Sequence, residues 1–221
     1  GRNIDDTAES VLDHVILESP DGVRIDLEQF EAAIDEKTLF VATSHVFFTS
    51  GYTQDIKALA QIAHDAGAYC IIDGYQGVGQ VPLKLNTTEV DFYTAGPLKW
   101  LCGGPGLAYL YVKRELIRQL KPRITSWFAN TRQFDFDVNR FEYHPDARRF
   151  ELGTPALPTV HTALGGQEIL NKVGIDQVVT QNKQLADQLV DQAHDLGFEI
   201  ALPEPKHRSG IITIRHNNPA G

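Results

Sequence analysis

A chain of 221 residues, 42% hydrophobic and with a formal net charge of −9, suits one large domain, or one plus part of another, around a substantial core. The acidic balance argues against nucleic acid as a partner, because phosphate contacts need basic surface; no apolar run could span a membrane and no signal peptide opens the chain, so a cytoplasmic enzyme is expected. Only Cys70 and Cys102 occur, without disulfide or metal-ligand spacing, and no histidines fall in a metal motif, so no metal is expected.

In chain order, Val11-Leu12 and Val15-Ile16-Leu17 predict a short strand, and Pro20-Asp21-Gly22 a turn. Asp26 opens a helix, with Gln29 three residues on in a capping-box pattern and Leu27, Phe30 and Ile34 on one face. Residues 38–43 read as an apolar strand ending at Ser44-His45-Val46-Phe47-Phe48-Thr49-Ser50-Gly51. An amphipathic helix is predicted over 52–66, with Ile56, Leu59, Ala60 and Ala63 in one stripe and Gly67 as its stop. Strands follow at 68–72, which delivers Asp73, and at 90–94, which leads to Lys99. This βαβ rhythm predicts an α/β fold with a mostly parallel sheet.

Residues 106–112 read as a further strand and 113–120 as a helix. Residues 122–156 carry no sustained period but many aromatics, the pattern of a functional loop rather than a disordered one. Helices are predicted over 156–173, with Val160, Leu164, Ile169 and Leu170 inward, and 175–196, carrying Leu185, Leu189 and Leu196. Segments 198–202 and 210–214 read as strands.

Ligands of open α/β sheets sit at the carboxyl ends of the strands. An acid, Asp73, and a lysine, Lys99, presented there in Gly-rich turns predict a cofactor site. Neither a dinucleotide fingerprint nor a P-loop accompanies the glycines, which are expected to let backbone approach a cofactor or bend tightly. Leu98, Trp100 and Leu101 offer Lys99 an apolar setting, which favours a nucleophilic amine. Cys102 reads as a small buried filler.

Asp73-x-x-Gln76, Asp91-Phe92 through Lys99, and Gly106-x-x-Tyr109-Leu110-Tyr111-Val112 together resemble the class V aminotransferase family. That family binds pyridoxal 5′-phosphate (PLP) and includes cysteine desulfurases, kynureninases and isopenicillin N epimerase. Weaker similarity runs over 20–166. The resemblance implies a PLP-dependent transferase fold of the aspartate aminotransferase-like type I. Residues 1–155 would be the C-terminal part of its large PLP-binding domain, and 156–221 the beginning of a small α+β C-terminal domain. Members are considerably longer, and the chain, which contains no Met, is expected to lack an N-terminal portion.

By the same resemblance Lys99 forms the Schiff base, Asp73 pairs with the pyridine nitrogen, and Gln76 hydrogen-bonds the phenolic oxygen. A carboxylate in that place keeps the nitrogen protonated, since an opposite charge favours the charged form. His45 is expected either to touch the cofactor or substrate or to be satisfied by backbone at a strand end. Trp127 matches a kynureninase Trp that reaches the phosphate, the alternative being a core anchor. Gly153-Thr154 matches a pair whose hydroxyl serves the phosphate of the neighbouring subunit, which implies a homodimer with shared active sites. Arg148 and Arg149 could instead pair with nearby acids. Arg208 and Arg215 are left outside the site.

Four positions depart from the family pattern: Phe48 where desulfurases have Asn, Leu98 where they have His, and Gly96 and Pro97 where many members have Ser or Thr. The Trp127 region and the absence of His before Lys99 lean, among kynureninase-, epimerase- and desulfurase-type chemistries, toward a kynureninase-like or epimerase-like enzyme acting on an amino acid. The alternatives are a non-catalytic α/β nucleotide-binding domain and an inactive fragment of a PLP enzyme.

Overall fold

The structure is a computed structural model and describes residues 13–215. In chain order its elements are α1 (Leu27–Ala33), β1 (Phe40–Ser44), α2 (Ile56–Asp65), β2 (Tyr69–Asp73), β3 (Phe92–Ala95) and β4 (Tyr109–Val112). There follow α3 (Arg114–Ile117), α4 (Leu157–Val173), α5 (Ile175–Asp195), β5 (Glu199–Ile200) and β6 (Ile214–Arg215). Val11 and Leu12 lie outside the described residues, and Val15–Leu17 are not a strand but irregular backbone.

Among the described residues the main sheet has the order β1-β2-β3-β4. β1, β2 and β3 are parallel, and β4 returns antiparallel to β3. The register sets Ser44 beside Asp73 and Asp73 beside Thr94, so the carboxyl ends of three neighbouring strands finish at one edge. β5 and β6 form a separate antiparallel pair.

α1 starts where Asp26 predicts it, and the Gln29 side-chain oxygen accepts from the Asp26 amide at 3.1 Å. α2 buries the predicted stripe of Ile56, Leu59, Ala60 and Ala63 against β2. It begins at Ile56 rather than Tyr52. Asp55 caps it by accepting from the Ala58 amide at 3.0 Å, while Tyr52 and Thr53 are held in bridges to Arg208 and Val46. Leu59 is 0% exposed, so Leu59→Ala is expected to destabilise the chain by about 2–5 kcal/mol. Urea unfolding would measure it, and a loss below about 1 kcal/mol would mean that the core collapses around the gap.

α4 and α5 depart from expectation in which residues face inward. Leu164, Ile169, Leu185 and Leu189 are exposed, Val160 and Leu170 are half-buried, and Ala163, Gly166, Val190 and Ala193 are buried. α4 lies so close to the Leu101–Cys102 backbone that a Cβ at Gly166 would collide with it. Small side chains therefore take the contact face.

Residues 122–156 form an ordered excursion with 3-10 turns at Trp127–Ala129 and Ala147–Phe150. Asn130 bridges Tyr143, and the Tyr143 hydroxyl donates to the Pro122 carbonyl at 2.8 Å. Arg149 is buried and donates to the carbonyls of His144 and Leu120 at 2.8 and 2.9 Å, so it is held by backbone rather than by an acid. Arg148 does pair with an acid, Asp146, at 2.9 Å.

Candidate functional site

β2 ends on Asp73, whose side chain is exposed. Its Oδ1 accepts from the Tyr75 amide at 2.9 Å, which folds the chain back after the strand. The Gly74 amide donates across to the Thr94 carbonyl at 2.7 Å, and the amides of Gly77 and Val78 both donate to the Gly74 carbonyl. Beyond β3, Gly96-Pro97-Leu98 leads to Lys99. That turn is closed by the Gly103 amide on the Pro97 carbonyl at 2.7 Å and the Cys102 amide on the Lys99 carbonyl at 3.1 Å.

The two turns meet at Tyr75. Its ring lies against Gly96, where a Cβ would enter it, and the Lys99 ammonium stands 5.7 Å from the ring centroid. An ammonium over an aromatic face is held by the ring quadrupole. The expected apolar pocket around Lys99 is not formed: Lys99 and Leu98 are both exposed. Cys102 is exposed too, in a left-handed conformation at φ 57°, which turns its side chain away from the core.

Gln76 is oriented by Trp100, whose indole Nε1 donates to the Gln76 Oε1 at 2.9 Å. An indole nitrogen can only donate, so this bond fixes which end of the amide faces it. The Gln76 Nε2, a donor of two hydrogens, is left for an acceptor. The Gln76 carbonyl accepts from the Gln80 side chain, whose own Oε1 accepts from the Gly210 amide at 2.8 Å.

His45 follows β1 directly, and its amide donates to the Asp73 carbonyl at 2.8 Å. Its ring is 5% exposed, and Nδ1 lies 3.0 Å from the hydroxyl of Tyr93, which is 2% exposed. Burial lowers the His45 pKa from 6.5 to about 4. Burial raises that of Tyr93, and the negative charge of Asp73 adds to the rise. Both side chains are therefore neutral at pH 7.

Because His45 takes up its proton less readily when folded, stability is full above about pH 6.5 and falls as the pH drops toward 4. The drop from 6.5 to about 4 corresponds to at most about 3 kcal/mol. Urea unfolding at pH 7 and pH 4.5 should show the loss, and His45→Gln should flatten that part of the difference. An unchanged difference in His45→Gln would assign the loss to the carboxylates.

Of the predicted site residues, Asp73, Gln76, Lys99 and His45 thus gather at one end of the sheet. Trp127 and Thr154 lie on the 122–156 excursion. Trp127 is 42% exposed, which rules out a core anchor, and packs with Phe128, Phe134 and Phe136 at centroid distances of 4.7, 5.9 and 6.1 Å. Thr154 is exposed. The Ser126 hydroxyl donates to the Glu151 carbonyl at 2.8 Å and ties the Trp127 turn to the strand of chain that leads to Thr154. A cleft of about 1390 Å³, lined by Tyr75 and Thr94 and also by Arg148, Phe150 and Leu152, lies between this excursion and the sheet end.

Sequence reasoning missed Tyr75, Tyr93 and Trp100 as parts of the site. The alternation along β3 marks Tyr93 as inward-facing. Nothing local pairs Trp100 with Gln76, 24 residues earlier. Among the described residues no group of three His, Cys, Asp or Glu side chains could hold a metal ion, and no helix is long and apolar enough to cross a membrane.

The family model for class-V aminotransferases matches residues 10–220. An uncharacterized aminotransferase of Bacillus subtilis (strain 168), YcbU, is 36% identical over 200 residues, 90% of this chain and 52% of that protein. A kynureninase of Geobacillus thermodenitrificans (strain NG80-2) is 30% identical over 215 residues, 94% of this chain and 50% of that protein. A cysteine desulfurase of Haloferax volcanii is 27% identical over 195 residues, 88% and 45%. The chain thus spans about half the length of the curated relatives it matches. Among solved structures, the apo cysteine desulfurase of Thermococcus onnurineus NA1 superposes with a TM-score of 0.81 at 22% identity, covering 92% of this chain and 50% of that one. A mutant of C-DES with glycine covalently linked to the PLP cofactor gives 0.80 at 19% identity, covering 90% and 53%. At these identities the likeness speaks for a shared fold.

Proposed function

The chain belongs to the class-V aminotransferase family, and from that premise we propose that it binds pyridoxal 5′-phosphate at the carboxyl ends of β2 and β3 and acts on an amino-acid substrate. Its α/β body with a mostly parallel sheet is of the PLP-dependent fold type I. The observation that carries the proposal is the meeting of Asp73 and Lys99 at Tyr75. The acid folds the turn through the Tyr75 amide, and the amine rests over the Tyr75 ring.

The residues present fit the cofactor. Asp73 is exposed with one carboxylate oxygen used by the turn, which leaves the other for a cationic ring N–H. The Gln76 Nε2 faces away from Trp100 as a donor for a phenolic oxygen. Lys99 is an exposed primary amine within the same group of residues. When bound, PLP supplies the electron sink for chemistry at the substrate Cα. The role of Asp73 is to hold a positive charge at the ring nitrogen, and that of Gln76 is to fix the ring's rotation. Lys99 would anchor the cofactor as its Schiff-base lysine, and its amine would hold or move the proton at the substrate Cα. Neutral His45 and Tyr93 place no competing charge beneath Asp73.

Two finer assignments belong to the same proposal. Residues 1–155 form part of a large cofactor-binding domain, and 156–221 begin a small one. Thr154 and Trp127 serve the phosphate in a homodimer with shared sites, which suits their place on an exposed excursion.

The test is the near-visible absorbance of the protein given PLP, followed by borohydride reduction and peptide mapping. A stable band with the reduced adduct on Lys99 is expected. An adduct scattered over surface lysines would sink the assignment.

A further inference from the structure

His45, the residue after β1, and Tyr93, on β3, are nearly inaccessible and meet directly behind the Asp73 turn. His45 is 5% exposed, Tyr93 is 2% exposed, and the Nδ1–hydroxyl distance is 3.0 Å. The turn is laid on this pair. A Cβ at Gly74 would enter the Tyr93 ring, and one at Gly77 would collide with the His45 ring. Glycine at both positions lets the backbone rest on the two rings without a spacer. The His45 amide also holds the Asp73 carbonyl, and Thr94, next to Tyr93, holds the Gly74 amide. Four contacts therefore reach the short stretch that presents the Asp73 carboxylate and the Gln76 amide.

We propose that His45 and Tyr93 are a positioning pair, setting the height of the Gly74–Gly77 backbone and hence the placement of Asp73 and Gln76, and acting through the turn rather than by touching cofactor or substrate. Its consequence for cofactor binding rests on the PLP reading above. The pair does this without charge. A cation beneath Asp73 would compete with the ring nitrogen for the same carboxylate, and a phenolate would repel it.

Tyr93→Phe tests this, since it keeps the ring under Gly74 and removes only the hydroxyl that fixes His45. Hydrogen exchange on the full chain without cofactor is the first readout. The amides of Gly74, Gly77 and Val78 should exchange about tenfold faster, the worth of one buried hydrogen bond, while those of Val41, Cys70 and Ile72 keep their rates. The second readout is the PLP dissociation constant, which should rise about tenfold. Unchanged exchange in the turn overturns the proposal. So does an equal rise throughout β1 and β2, which would mark the pair as ordinary core. If Tyr93→Phe does not fold, His45→Gln takes its place, and failure of both to fold would mean that the pair holds the sheet rather than the turn. If the unaltered chain binds no PLP, the functional reading fails, and the exchange result still decides the positioning role.

Discussion

Lys99→Ala is expected to abolish the borohydride-fixed adduct and to slow proton exchange at the Cα of bound amino acids by about 10²–10⁴-fold, the usual worth of a positioned acid–base group. The substitution should leave the fold intact. Lys99 is exposed, its side chain joins no ion pair among the described residues, and the contact it loses is the one to the Tyr75 face. The turn around it is closed by backbone bonds to the carbonyls of Pro97 and Lys99, which alanine keeps. PLP should still associate, held by Asp73 and Gln76, but as free aldehyde. The measurement is solvent deuterium appearing at the Cα of a panel of amino acids, read by NMR alongside the absorbance band. An unchanged exchange rate in the variant would remove Lys99 from the chemistry.

Asp73→Asn is the second large effect, expected at about 10²–10³-fold in the same exchange, the range for losing one preorganised electrostatic contact. Asparagine suits the test because its side-chain oxygen can still accept from the Tyr75 amide, the bond that folds the turn at 2.9 Å. Shape is kept and charge is lost, so a ring nitrogen nearby would no longer be held protonated. The same change removes the negative charge that helps raise the Tyr93 pKa, so the Tyr93 hydroxyl should titrate lower in the variant. A variant with full exchange activity would show that Asp73 serves only the turn.

Much of the sheet was legible because its strands are short apolar runs punctuated by glycine, and because Asp73 and Lys99 each stand just past such a run. The α2 stripe was legible for the same reason: spacing alone determines which side of an isolated helix is apolar. α4 defeated that logic. Its inward face is chosen by how close Leu101–Cys102 comes, so Gly166 and Ala163 face in and Leu164 and Ile169 face out. Val15–Leu17 had strand composition but no neighbouring strand to pair with in the described structure. In the site, the Gly-rich turns after two apolar runs pointed to Asp73 and Lys99 and the family resemblance added Gln76, and the structure brings the three to one end of the sheet. The setting of Lys99 was misjudged, because adjacent apolar letters say nothing about which way their side chains turn, and Leu98 turns outward. The partnerships of Gln76 with Trp100 and of His45 with Tyr93 depend on turns whose geometry no local pattern encodes.

The bond from the Gly210 amide to Gln80 also bears on the order in which the chain assembles. It joins residues 130 apart, and the Thr53 amide similarly waits for the His207 carbonyl. Long-range closures of this kind are slow, because a large loop must be ordered before the contact rewards it. During synthesis the Asp73 turn therefore leaves the ribosome well before the segment that braces Gln80 and, through it, Gln76. Pulse-labelled exchange during refolding of the whole chain should find Ile71 and Ile72 protected before Thr53 and Gly210; simultaneous protection would mean that the brace and the sheet form in one step. With the brace arriving late, a nascent chain would carry the acid, the amine and the Trp100-held amide in place while the Gln80 side chain beneath the Gln76 carbonyl is not yet tied down.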